Sequence, residues 1–273
     1  MFKKFMLFIV IVLLSMSLVF CGCGKKPETT QPVGENSLDR VKKAGKIVAG
    51  LDDAYPPMGY RNDKGELIGF DIDMAKEISK RIGVEIVWQP TVWDTVVASL
   101  KAKKFDIIIS GMNITEKRLA EVNFAGPYGK AGQAVIVKAD NNKIKSLQDV
   151  EPGKLGTQSG STGYEYAKKN GFSDDQMKLY KEFPLAFNDL SIGRTDAVII
   201  DAFAVKPYLD KMPGQFKQVG DIIGDETIGI AVRKEDKELM DALNKAIDEM
   251  KKDGTLTAIS EKWLGCDITS DIQ

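Results

Sequence analysis

Histidine is absent from the 273 residues. A Ser-His-Asp triad, a Cys-His dyad, a His-ligated zinc and a histidine general base are therefore excluded, while catalysis by carboxylates, lysine or tyrosine is not. Cysteine is scarce. Cys21, Cys23 and Cys266 are the only three, too few for a disulfide framework and a weak basis for a metal site; Cys266 is expected to be a buried or unreactive thiol. No charge sign dominates, with 38 basic against 39 acidic side chains, which argues against a broad nucleic-acid-binding face. The apolar share of 43% and charged share of 28% are those of a globular chain, with room for one large domain or two moderate ones.

One long hydrophobic run is present, and it lies at the start. Lys3 and Lys4 precede apolar residues from Phe5 to Phe20, broken only by Ser15 and Ser17. A basic start and a stretch shorter than the roughly 20 residues of a spanning helix read as a secretory signal, residues 1–22. The Phe20-Cys21-Gly22-Cys23-Gly24 segment that follows resembles a bacterial lipoprotein signal, with Cys23, preceded by the small Gly22, as the lipidated residue. Residues 23–37, polar and punctuated by Pro27, Pro32 and Gly34, read as a flexible tether. The expected address is extracytoplasmic, lipid-anchored at the outer face of a membrane.

Beyond Leu38, short β-branched runs alternate with amphipathic stretches. Strands are expected around Ile47–Leu51, Glu85–Trp88, Asp106–Ser110, Ala134–Val137, Lys154–Thr157, Met177–Tyr180, Ala197–Ile200 and Thr227–Val232, and a helix where Leu239, Leu243, Ala246, Ile247 and Met250 recur at helical spacing. Alternating β and α segments point to an α/β fold. VWDTVVASLKAKKFDIIISG and AFNDLSIGRTDAVIIDAF echo each other, each a helix, a basic turn, an Asp and a four-residue apolar strand, so two similar α/β lobes are expected. In open α/β sheets the ligand crevice lies beyond the carboxyl ends of the strands; the residues falling there are Asp52, Ser110, Gln158 to Thr162 and Asp201. The glycine-rich stretches Gly126–Gly132 and Gly220–Gly224 are candidate crossings between lobes.

Gln158-Ser159-Gly160-Ser161-Thr162-Gly163 opens a helical stretch and offers free backbone N–H groups to an anion. A P-loop fails here on glycine spacing and on the lack of a following lysine, whereas a plain Ser/Thr helix cap reads equally well. Thr115 can cap the next helix and place Arg118 in its first turn, near the crevice; alone, a helical Arg is more often a solvated surface group. A guanidinium grips a carboxylate bidentately. Asp201 could face it as an ammonium acceptor or merely cap a helix. Tyr55, just before Pro56, and Trp93, which opens a helix near Pro90, could sandwich an organic side chain; in isolation both would more often be core. A fixed cation, a fixed anion and backbone donors together suit a zwitterion.

These residues resemble those of the polar amino-acid-binding proteins of bacterial ABC importers, the extracellular solute-binding proteins of family 3. The resemblance runs over about residues 38–265 and rests on Tyr55-Pro56-Pro57, Gly69-Phe70-Asp71-Ile72-Asp73, Asp106-Ile107-Ile108-Ile109-Ser110-Gly111-Met112, Ile114-Thr115-Glu116-Lys117-Arg118, Gly160-Ser161-Thr162 and Asp253-Gly254-Thr255-Leu256 with Lys262-Trp263. It implies a two-lobed periplasmic-binding-protein-like fold of type II, two α/β lobes joined by two hinge strands, with lobe 1 formed by 38–129 plus 223–273 and lobe 2 by 130–222. It implies that Arg118 and the N–H groups of Asn113 and Thr162 hold an α-carboxylate, that Asp201 and the Gly111 carbonyl hold an α-ammonium, and that Tyr55 and Trp93 flank the side chain. Asp52, Ser110, Gln133 and Gln158 would line its distal end. Relatives commonly carry Ser or Thr where this chain has Asn113. The implied function is capture of an amino acid, arginine slightly ahead of lysine, glutamine and cystine, for delivery to an ABC permease by a monomer without catalytic residues, metal or cofactor. The rival on the same scaffold is a dehydratase of the cyclohexadienyl or arogenate type, with Asp201 or Glu165 as acid. Without histidine, affinity is expected to be nearly flat from about pH 6 to 8.

Overall fold

The computed structural model describes residues 36–270 and Ile272; the signal, Cys23 and most of the tether lie outside the described residues. Asn36 accepts the Asp39 N–H at 2.8 Å and caps helix α1, Ser37–Ala44, so the tether's last residues already belong to the fold. Among the described residues no helix is long and apolar enough to cross a membrane.

Strand β1 (Lys46–Leu51) precedes a small three-stranded sheet of β2 (Ala54–Tyr55), β3 (Gly59–Arg61) and β4 (Leu67–Ile68), followed by α2 (Phe70–Ile82), β5 (Glu85–Pro90), a 3-10 turn at Trp93–Thr95, α3 (Val96–Lys101), β6 (Ile107–Ile108) and α4 (Glu116–Glu121). The long β7 (Asn123–Lys138) leads to β8 (Leu155–Gln158), α5 (Thr162–Lys169), β9 (Met177–Tyr180), α6 (Phe183–Ser191), β10 (Ala197–Asp201) and α7 (Lys206–Lys211). The equally long β11 (Phe216–Val232) returns the chain to α8 (Lys237–Lys252) and α9 (Thr255–Leu264).

The main sheet has the order β5-β1-β6-β11-β7-β10-β8-β9. On one side β1 pairs in parallel with β5 and β6, and β6 runs antiparallel to β11. On the other, β8 pairs in parallel with β9 and β10, and β10 runs antiparallel to β7. The two sides repeat one topology about the β7–β11 pair, which is the physical content of the echoed sequence segments. β7 and β11 pair along both halves, with register shifts between Val219 and Ile223, Ile223 and Glu226, and Ile228 and Ile230. The fold is therefore two α/β lobes joined by two strands.

Burial explains why the strands read as unbroken apolar runs rather than as alternation. Ile107 packs into a core with α2 and α8, while the adjacent Ile108 packs on the opposite face with Trp93, Leu100 and Phe105. Val198 and Ile200 face one core of the second lobe, Ala197 and Ile199 the other. Gly50 is needed on β1 because a Cβ there would meet the Phe105 ring at 2.5 Å. Helix α8 buries Leu239, Leu243, Ala246, Ile247 and Met250, as its spacing predicts. One expectation is corrected. Cys266 is an exposed free thiol, one residue past Gly265, whose left-handed conformation (φ 73°) ends α9.

Candidate functional site

The carboxyl ends of β1, β6, β8 and β10 converge. Ten of the eleven sequence-predicted residues, Asp52, Tyr55, Trp93, Ser110, Gly111, Asn113, Arg118, Gln158, Thr162 and Asp201, line one cavity together with Ser161. The cavity measures about 10 Å³, room for one water at most. A larger cavity of about 640 Å³ adjoins it and shares Trp93, Arg118 and Thr162.

Arg118 is placed by α4, whose first turn is fixed by the Thr115 side chain accepting the Arg118 N–H at 3.2 Å. Its Nη1 donates to the Asn113 carbonyl at 2.8 Å and its Nη2 to the Gly160 carbonyl at 3.3 Å, from the other half of the sheet. The guanidinium lies over Trp93, 5.3 Å from the ring centroid, so one face of that indole serves Arg118. Burial pulls the Arg118 pKa below its ordinary value, and the Asp201 and Glu226 charges oppose that shift. The backbone N–H groups of Asn113 and Thr162 have no hydrogen-bond partner among the described residues. Ser161 caps α5, accepting the Tyr164 N–H at 3.1 Å.

Asp201 ends β10 with 5% exposure. Its Oδ2 accepts from the Tyr55 hydroxyl at 2.5 Å, and its Oδ1 from Asn113 Nδ2 and Gln133 Nε2, both at 2.8 Å. Tyr55 stacks on Phe183 and meets Phe203 edge-on, with centroids 5.6 and 6.1 Å away. Gly111 sits at φ 54°, and a Cβ there would lie 3.1 Å from Tyr55 and Met58.

At the other end Asp52 accepts from the Ala54 N–H at 2.9 Å and from Gln158 Nε2 at 2.6 Å, and Ser110 Oγ accepts the Asp52 N–H at 3.0 Å. Burial pushes the Asp52 carboxyl up to about 6, against the pull of those hydrogen bonds and helped by the Glu182 charge. Gln133 departs from expectation. It lies not beside Asp52 but at the Asp201 end, because the β7–β10 register sets it opposite Asp201.

Four contributors escape sequence reasoning. Phe183 and Phe203 read as generic apolar residues. Glu226, on β11, accepts from Asn113 Nδ2 and Gln133 Nε2 at 2.5 and 2.9 Å. Asp71, fully buried, accepts from the Gly111 N–H at 2.7 Å and from the Tyr128 hydroxyl at 2.9 Å; its motif is visible in the sequence but its place beneath the site is not.

Two lobes meeting over a small polar cavity, with a guanidinium and a carboxylate among its walls, define a bilobal solute-binding protein. The chain belongs to the bacterial extracellular solute-binding proteins, family 3, whose profile matches residues 47–266. It is 36% identical over 236 residues to the L-cystine-binding protein TcyJ of Escherichia coli (strain K12), covering 86% of this chain and 88% of that one. A solved ancestral arginine-binding protein bound to arginine is 42% identical with a TM-score of 0.76, covering 81% of this chain and 99% of that one. The ancestral amino acid-binding protein AncCDT-1, a precursor of cyclohexadienyl dehydratase, is 37% identical with a TM-score of 0.77, covering 84% and 100%. The place of work is therefore outside the cytoplasm.

Proposed function

We propose that the chain is the substrate-binding lipoprotein of an ABC importer, capturing a polar amino acid and delivering it to a membrane permease. The observation that carries this is the single cavity walled by Arg118, by the N–H-bearing residues Asn113 and Thr162, and by Asp201. Arg118 with the two N–H groups would hold the α-carboxylate, and Asp201 with the Gly111 carbonyl the α-ammonium. Tyr55 and Trp93 would contact the side chain, with Asp52, Ser110 and Gln158 at its far end and Gln133 supporting Asp201. Arginine is favoured over lysine, glutamine and cystine because Asp52 is a carboxylate at that far end, held by Gln158. Ancestral arginine-binding relatives solved with arginine and with glutamine keep both ligands in the comparison, and the L-cystine-binding relative keeps cystine there.

Lobe 1 comprises residues 38–129 and 223–273, lobe 2 residues 130–222, and Cys23 carries the lipid. A ligand touching both lobes stabilises the closed arrangement by its differential affinity. Contacts across the cleft, Asn113 to Thr162, Gln158 to Asp52 and Lys117 to Glu165, are those closure makes.

AncCDT-1, named as a precursor of a dehydratase, motivates one alternative, catalysis on a cyclic carboxylate. Glu165 is engaged in an ion pair with Lys117 at 2.5 Å, and an ammonium-binding Asp201 has less use there. A thermal-shift screen of the twenty amino acids and L-cystine decides, because ligand at 100 times its dissociation constant adds about 2.7 kcal/mol of stability. No stabilisation by any of them, with turnover of prephenate or arogenate, reverses the conclusion.

A further inference from the structure

Three oxygens on different elements form a triangle at the Asp201 end of the cavity: Asp201 Oδ1, Thr162 Oγ1 and Glu226 Oε2. Asn113 Nδ2 lies 2.8, 3.0 and 2.5 Å from them. Gln133 Nε2 lies 2.8, 3.0 and 2.9 Å from the same three. The two carboxamide nitrogens together carry four hydrogens, enough for all three oxygens, but neither carries a positive charge to balance the two carboxylates. Gln133 is nonetheless held with its nitrogen toward the triangle while its Oε1, buried, has no partner among the described residues. Two carboxylates and a hydroxyl converging on one nitrogen position match a group with three hydrogens and a positive charge.

We infer that Glu226 is a ligand-binding residue: with Asp201 and Thr162 it forms a three-oxygen seat for the solute's primary ammonium, at the position taken by Asn113 Nδ2. Asn113 is the exchangeable member because its side chain lines the cavity, whereas Gln133, on β7, does not and packs against Gly163. Glu226 lies on β11 beside a register shift, so ammonium capture reaches a strand that joins the lobes. The inference rests on the amino-acid reading above.

The test is a cycle between protein and ligand. Isothermal titration compares L-arginine with its des-amino analogue, 5-guanidinopentanoate, on the wild-type chain and on Glu226→Gln. Loss of a hydrogen bond between charged partners predicts about a 10- to 100-fold weaker L-arginine affinity in the variant, with the analogue nearly unchanged. Glu226→Asp, which keeps the charge, is expected to recover part of the L-arginine affinity and guards against a variant that fails to fold. Equal loss for both probes, or no loss for either, overturns the triangle while leaving amino-acid binding intact. A wild-type chain that binds none of the twenty amino acids or L-cystine overturns the amino-acid reading and the triangle with it.

Discussion

Replacing Asp52 by asparagine separates what its charge does to the fold from what it does for the solute. Asp52 is 6% exposed, and burial pushes its carboxyl from 3.8 to about 6. At about 1.4 kcal/mol per pH unit, keeping it ionised costs the folded chain about 3 kcal/mol at neutral pH. The folded form holds this proton more tightly than the unfolded chain does. The cost is therefore complete above about pH 6 and is relieved as pH falls toward 3.8. Asparagine removes the charge, but its amide nitrogen faces Gln158 Nε2, donor to donor. Gln158 cannot turn away freely, because the same nitrogen donates to the Lys181 carbonyl at 2.8 Å. That mismatch returns about 1 kcal/mol. Asp52→Asn is thus expected to be more stable by about 2 kcal/mol near pH 7.5, with the advantage gone near pH 4.5. Urea unfolding at both pH values measures it. A variant less stable near neutrality, or a difference that ignores pH, refutes the reasoning. The same group narrows the pH range of function: L-arginine affinity should hold from about pH 7 to 8 and fall through about 6 in the wild type, but not in Asp52→Asn.

Arg118→Ala removes the cation expected to hold the carboxylate and should cost about 3–5 kcal/mol of binding, read by calorimetry with any amino acid that stabilises the wild type. Near-normal affinity would sink the assignment. Gly50→Ala drives a Cβ into the Phe105 ring, where three ring carbons lie 2.5–2.8 Å away. Overpacking of this kind costs about 1–3 kcal/mol, so its urea midpoint should drop, and an unchanged midpoint would mean the core yields more easily than its packing indicates.

What was legible in the sequence is what strands buried on both faces and strand ends leave behind. Ala197 to Ile200 are apolar without a break because neighbours in the strand pack into different cores, and the polar residue ending that run is Asp201, at the sheet's edge toward the cleft. The same logic finds Ser110 after Ile107 and Ile108, and Gln158 after Leu155. It fails where position depends on register rather than pattern. Gln133 stands opposite Asp201 only because β7 runs antiparallel to β10 in one register, and a shift by one residue would turn it to the other face. Glu226 enters the site through irregular pairing on β11, which no periodicity records. Asp71 is the sharpest case, since its neighbours on α2 give it the pattern of an ordinary first-turn acid. Burial instead pushes its carboxyl up to about 7, and one carboxylate ties the α2 start to Tyr128 on β7 and to the Gly111 N–H. That N–H belongs to a left-handed turn at Gly111, φ 54°, distant in sequence from Asp71, so the role of Asp71 becomes visible only once the chain is folded.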